Sequence, residues 1–162
     1  MRNGRRLAID VGKARVGLAI SDQSGLLAIP FETVPRRENL AETALAIATA
    51  VSDFILLEVY VGLPLSMSGK ETASTADALS VAFAVADTVG CEVRLVDERL
   101  TTVSATANLR LAGKNSKNSR SIIDQEAAAI ILEQALATEK TSGNIPGRSL
   151  SDFERPEVQG IE

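Results

Sequence analysis

The sequence contains no histidine. That absence removes the commonest general base near neutral pH, the Ser–His and Cys–His nucleophile systems, and nearly all zinc chemistry. Any acid–base or metal work falls to Asp and Glu, whose oxygens select hard cations. With Cys91 the single cysteine, no internal disulfide can form, which fits a reducing cytoplasm. Aromatics make up only 3% and tryptophan is absent, so a core must be built from Ala, Val, Ile and Leu. No apolar run approaches the roughly 18 residues of a bilayer span. The basic start, Met1 to Arg6, leads into an apolar run that Asp10 and Lys13 interrupt, which argues against a signal peptide. These features predict a cytoplasmic protein with no membrane partner.

At 162 residues the chain is long enough for one domain with a substantial core. The net charge of −4 does not advertise a nucleic-acid binder, but its distribution is uneven. Arg2, Arg5, Arg6, Lys13 and Arg15 crowd the start, and Arg110, Lys114, Lys117 and Arg120 form a second basic stretch without an acid. A basic face can therefore coexist with an acidic total. Arg2, Arg5, Arg36 and Arg37 read as ordinary solvated surface.

Hydrophobic patterning predicts strands over 5–11, 16–21 and 26–34, the first two joined as an antiparallel hairpin through Gly12 to Arg15. An Ala-rich helix follows over 39–54, a strand over 55–61, and a helix over 71–89 with Gly90 as its cap. A strand over 92–97, a helix capped by Thr101 or Thr102 and ending near Ala112, and a helix over 120–138 complete the order. Residues 1–138 form the domain, and 139–162, with Gly143, Pro146, Gly147, Pro156 and Gly160, read as a flexible tail. A hairpin meander followed by strand–helix alternation implies an α/β fold with a mixed sheet flanked by helices.

Asp10 ends the first apolar run, and Asp97-Glu98 end the last strand. Sites in such sheets collect beyond the carboxyl ends of strands. Asp124 precedes Ala127, Ala128 and Ile131 at helical spacing, so it lies on the apolar stripe that should face the sheet, whereas Glu126 and Glu133 should face solvent. Each acid has an ordinary structural use on its own: a strand-ending turn for Asp10, a surface turn for Asp97 and Glu98, a first-turn helix acid for Asp124. Together, in a chain without histidine, they suggest carboxylates around a divalent cation, the arrangement that hydrolyses phosphodiesters. Lys13, Arg15 and Arg99 could hold phosphates beside it, as could the amides at Thr101 and Thr102.

Leu7-Ala8-Ile9-Asp10-Val11-Gly12 with Arg15-Val16-Gly17, Val61-Gly62-Leu63-Pro64, Asp97-Glu98-Arg99-Leu100-Thr101-Thr102, and Asp124 with Ala127-Ala128 and Ile131-Leu132 resemble, in this order, the YqgF family. These are Holliday-junction-resolvase-like proteins also described as pre-16S rRNA processing nucleases. The resemblance implies a ribonuclease H-like fold, with a five-stranded mixed sheet whose first three strands are antiparallel. It also implies a catalytic Mg2+ or Mn2+ site from Asp10, Glu98 and Asp124, with Gly12, Lys13, Arg15, Arg99, Thr101 and Thr102 toward substrate. Strand alternation puts Asp97 and Glu98 on opposite faces, so one of them is the ligand; the resemblance favours Glu98. The family commonly carries more bases on the second helix than Ala73 to Ala86, which has none.

The leading expectation is a metal-dependent nuclease acting on structured RNA, at the 5′ end of precursor 16S rRNA in pre-ribosomal particles, as a monomer or weak homodimer. The alternatives are a DNA endonuclease resolving Holliday junctions, or a non-catalytic assembly factor of the same fold. A phosphotransfer ATPase of the actin type would need two such domains.

Overall fold

The computed structural model describes residues 1–100 and 120–157. The expected helix after Thr101 and the loop from Gly113 to Ser119 lie outside the described residues. Strands β1 (Arg5–Val11), β2 (Arg15–Ser21) and β3 (Ala28–Pro35) form the meander. Helix α1 (Leu40–Ala50), β4 (Leu56–Leu63), α2 (Ala73–Ala86) and β5 (Glu92–Asp97) follow, with a 3-10 turn at Glu98–Leu100. The long helix α3 (Arg120–Ser142) leads to a short strand β6 (Arg148–Ser149) and a 3-10 turn at Leu150–Asp152.

The sheet order is β3-β2-β1-β4-β5-β6. The meander is antiparallel, β1-β4 and β4-β5 are parallel, and β5-β6 is antiparallel. The parallel pairs bring the carboxyl ends of β1, β4 and β5 to one edge, with Ile9, Val61 and Leu95 in register.

Strand alternation divides the core in two. Leu7, Ile9, Val16, Leu18, Val59, Val61, Val93 and Leu95 face α1 and α2. Ala8, Ala19, Tyr60 and Val96 pack with Ala128, Ala129, Ile131, Leu132 and Ala135 of α3 on the other face. The small alanines on both sides of that second layer let the helix lie close to the sheet. Helix starts follow capping chemistry: Asn39 accepts from Glu42 N at 2.8 Å, and Thr72 and Thr75 make a reciprocal capping box. No described helix is long and apolar enough to cross a membrane.

Several elements differ from the sequence reading. The sheet has six strands rather than five, because Arg148 and Ser149 pair with Leu95 and Arg94. Two residues carry no readable period, so such a strand is invisible to alternation. The last helix runs past Thr138 to Ser142 and stops at Gly143, whose φ of +74° lets its N–H reach Glu139 O at 2.9 Å. The segment read as tail therefore contributes a helical turn, a strand and the buried Leu150. Helix α2 ends at Ala86, with Asp87 N–H bonded to Phe83 O, rather than at Gly90.

Candidate functional site

Asp10 lies near the end of β1, on the α3 face because it shares the parity of Ala8. Glu98 opens the 3-10 turn after β5, and its carboxylate lies with Ile131 beside Gly62, on the α3 face; Asp97 shares the parity of Leu95 at the end of β5. Asp124 sits in the second turn of α3, over the same sheet edge.

Two strand glycines make room for these acids. Gly17 pairs across the hairpin with Asp10, and a Cβ there would overlap the Asp124 carbonyl. A Cβ on Gly62 would meet Glu98 Oε1 at 2.5 Å and Ile131 Cδ1 at 2.7 Å. Gly17 thus serves the seating of α3. The signal was present in the sequence: glycine interrupting a β-branched run marks a close approach.

Asp10 senses the other two acids. Burial, with the charges of Glu98 and Asp124 added, pushes the Asp10 carboxyl up to about 7. Burial and Asp97 push Glu98 up as well. No hydrogen bond or ion pair joins the side chain of Asp10 or Glu98 to a described residue. Asp124 differs, because Arg15 Nε stands 2.7 Å from its Oδ2. Among the described residues no three acidic or thiol side chains are closed up to metal-ligand spacing. The donor chemistry still fits a hard divalent cation: three carboxylates toward one edge, two of them with no counter-ion among the described residues.

The residues expected to contact substrate are placed unequally. Lys13 is exposed at the hairpin turn. Gly12 is held inside it, donating to Arg15 O at 2.9 Å and accepting from Arg36 Nη1 at 3.1 Å. Arg99 turns away from the acids and pairs with Asp97 at 2.7 Å, beside a separate cleft of about 470 Å3 that Leu63 and Thr138 also line. Thr101 and Thr102 lie outside the described residues.

Several charged residues correct the sequence reading. Arg2 bonds Glu58 and Glu139 at 2.8 and 2.7 Å, Arg5 donates to Ser21 O and stacks on Phe54, and Arg36 pairs with Asp77 at 2.6 Å. None of these three is plain solvated surface, because each finds an acid, carbonyl or ring distant in sequence. Glu126 is only 8% exposed rather than solvent-facing.

A mixed sheet with an antiparallel meander, parallel central strands and acids at one edge defines a ribonuclease H-like α/β protein. RuvC of T. thermophilus, solved with a Holliday junction substrate, superposes with a TM-score of 0.59 at 20% identity, over 90% of this chain and 99% of that one. The family model RuvX, described as Holliday junction resolvase, matches residues 4–138. The chain belongs to the RuvX family, the one its four sequence blocks resemble. It is 52% identical over 147 residues to a Leifsonia xyli subsp. xyli protein, covering 91% of this chain and 94% of that one. It is 47% identical over 151 residues to one from Streptomyces coelicolor (93% and 90%), and 45% identical over 155 residues to one from Nocardioides sp. (94% and 99%). All three are named "Putative pre-16S rRNA nuclease".

Proposed function

We propose that the protein is a divalent-metal-dependent nuclease that trims the 5′ end of precursor 16S rRNA. The observation that carries the reading is that Asp10 feels the charge of both Glu98 and Asp124, which come from two other elements. The names of the relatives support the substrate.

Asp10, Glu98 and Asp124 would hold Mg2+ or Mn2+. A cation there supplies Lewis-acid activation of water and stabilisation of the leaving oxygen. The rest falls to the chain itself. Arg15 and Lys13 on the hairpin orient the scissile phosphate, with Thr101 and Thr102 as further expected phosphate contacts. The surrounding apolar layer fixes the acids through Gly17 and Gly62. Hydrolysis breaks one phosphorus–oxygen bond, with water supplying the new oxygen on phosphorus and the proton on the leaving group.

The family description favours a second reading, cleavage of four-way DNA junctions. A single assay separates the two. Purified protein is incubated with precursor 16S rRNA and with a four-way junction, in Mn2+ or EDTA, beside Asp124→Asn. Cleavage of RNA alone that needs Mn2+ and Asp124 supports the first reading; paired symmetric cuts in the junction by a dimer support the second. Equal cleavage by wild type and Asp124→Asn overturns the site assignment.

A further inference from the structure

Asp124 already has a cation, and it is one of the protein's own. Arg15 Nε donates to Asp124 Oδ2 at 2.7 Å, while Asp10 and Glu98 have no such partner among the described residues. The pairing follows from the strand. Arg15 and Gly17 lie two residues apart on the face of β2 that meets α3, and the Asp124 main chain rests on Gly17. The guanidinium therefore rises beside the same helical turn that carries the carboxylate.

This pair is partly open to water, with side chains 36% and 22% exposed, so it is weak and can separate. A divalent cation carries twice the charge and can also bind Asp10 and Glu98, which have no competing counter-ion among the described residues. It can outbid one guanidinium for Asp124. Arg15 then stands at the border of the site with a planar fork of donors released, a shape that matches a phosphate.

We propose that Arg15 is a built-in counter-ion: it holds Asp124 while no metal is bound, and passes to a substrate phosphate when a divalent cation takes that carboxylate. This rests on the metal-dependent reading above and deepens it. Metal and nucleic acid then reinforce each other, because each draws apart the pair that the other must break, and the coupling is reciprocal.

The test measures metal binding without turnover. Mn2+ affinity is determined by calorimetry, in the absence of nucleic acid, for wild type, Arg15→Gln and Lys13→Gln. Lys13→Gln removes the same charge from the same hairpin without touching Asp124. Arg15→Gln is expected to bind Mn2+ at least about threefold more tightly than wild type, a gain consistent with freeing one partly exposed ion pair. Lys13→Gln should change less, and the Arg15→Gln effect should vanish in an Asp124→Asn background. In parallel, the Arg15 Nε–H resonance should shift toward that of an unpaired guanidinium as Mg2+ is added. If Arg15→Gln binds no tighter than Lys13→Gln, or the resonance stays fixed at saturating Mg2+, the counter-ion role is overturned and the metal site stands. If neither wild type nor Arg15→Gln takes up Mn2+, the metal-dependent reading itself is overturned and this inference with it.

Discussion

The main chain of Asp124 rests on Gly17, with no room for a Cβ between them. The obstruction is backbone against backbone, so neither side can step aside as a flexible side chain would. Gly17→Ala should push the start of α3 off the sheet and cost about 2–3 kcal/mol of stability, as overpacking does. Because Asp124 moves with that turn, cleavage should fall by about a hundredfold, the usual consequence of an ångström of misplacement. Urea denaturation and single-turnover cleavage read the two effects; wild-type values in both would mean that α3 is not seated there.

Gly62 presents the opposite balance. An added methyl meets the far ends of Glu98 and Ile131, which can shift. Gly62→Ala should cost under about 1.5 kcal/mol in folding. Turnover should nonetheless drop more than about tenfold, since Glu98 is the group displaced. A loss of stability with unchanged turnover would assign Gly62 to the core alone.

Asp10 sets a pH dependence with a definite sign. Its carboxyl moves from 3.8 to about 7 on folding, so the folded state favours the protonated form. The metal-free protein should be most stable at acid pH with respect to this group. It should lose about 2–4 kcal/mol as pH rises from about 4 through about 7. Denaturation in EDTA at several pH values checks this, and Asp10→Asn should flatten the profile and be the more stable protein at pH 8. A divalent cation should restore stability at high pH in wild type only.

A second charged cluster acts in the reverse direction. Arg6, fully buried, and Arg2 converge on Glu139 near the far end of α3, and Arg2 also bonds Glu58, which accepts from Tyr60. The hydrogen bond from Arg2 holds the Glu139 carboxyl down at about 2. Its contribution is complete above the ordinary carboxylate range and disappears as pH falls toward 2. Glu139→Ala leaves a buried guanidinium without its acid and should cost about 3–5 kcal/mol. Chemical denaturation at pH 7 measures it; a loss below about 1 kcal/mol would show that Arg6 reaches water in solution.

Much of this architecture can be read locally. Alternation in Leu7 to Val11 puts Asp10 opposite Ile9, and the spacing of Asp124, Ala128 and Ile131 puts that acid on the buried stripe. These inferences succeed because a strand or helix fixes side-chain direction by its own period. The end of α3 was also legible, in Gly143, although the thinning of apolar residues after Thr138 pointed to an earlier stop.

The sequence by itself determined the parity of the strand residues, that acids rather than histidines must do any chemistry, and that those acids end strands or join a buried stripe. Only the tertiary structure decided which charges meet. Arg15 with Asp124, Arg6 with Glu139 and Arg36 with Asp77 join residues far apart in the chain, and β6 exists only because β5 offers it an edge. Periodicity is a property of one segment, whereas an ion pair or a glycine under a helix is a property of two segments packed together. Asp10 shows the division: its position is written in the strand, and its raised affinity for a proton arises from burial first and then from the charges of Glu98 and Asp124, all of them brought about by folding.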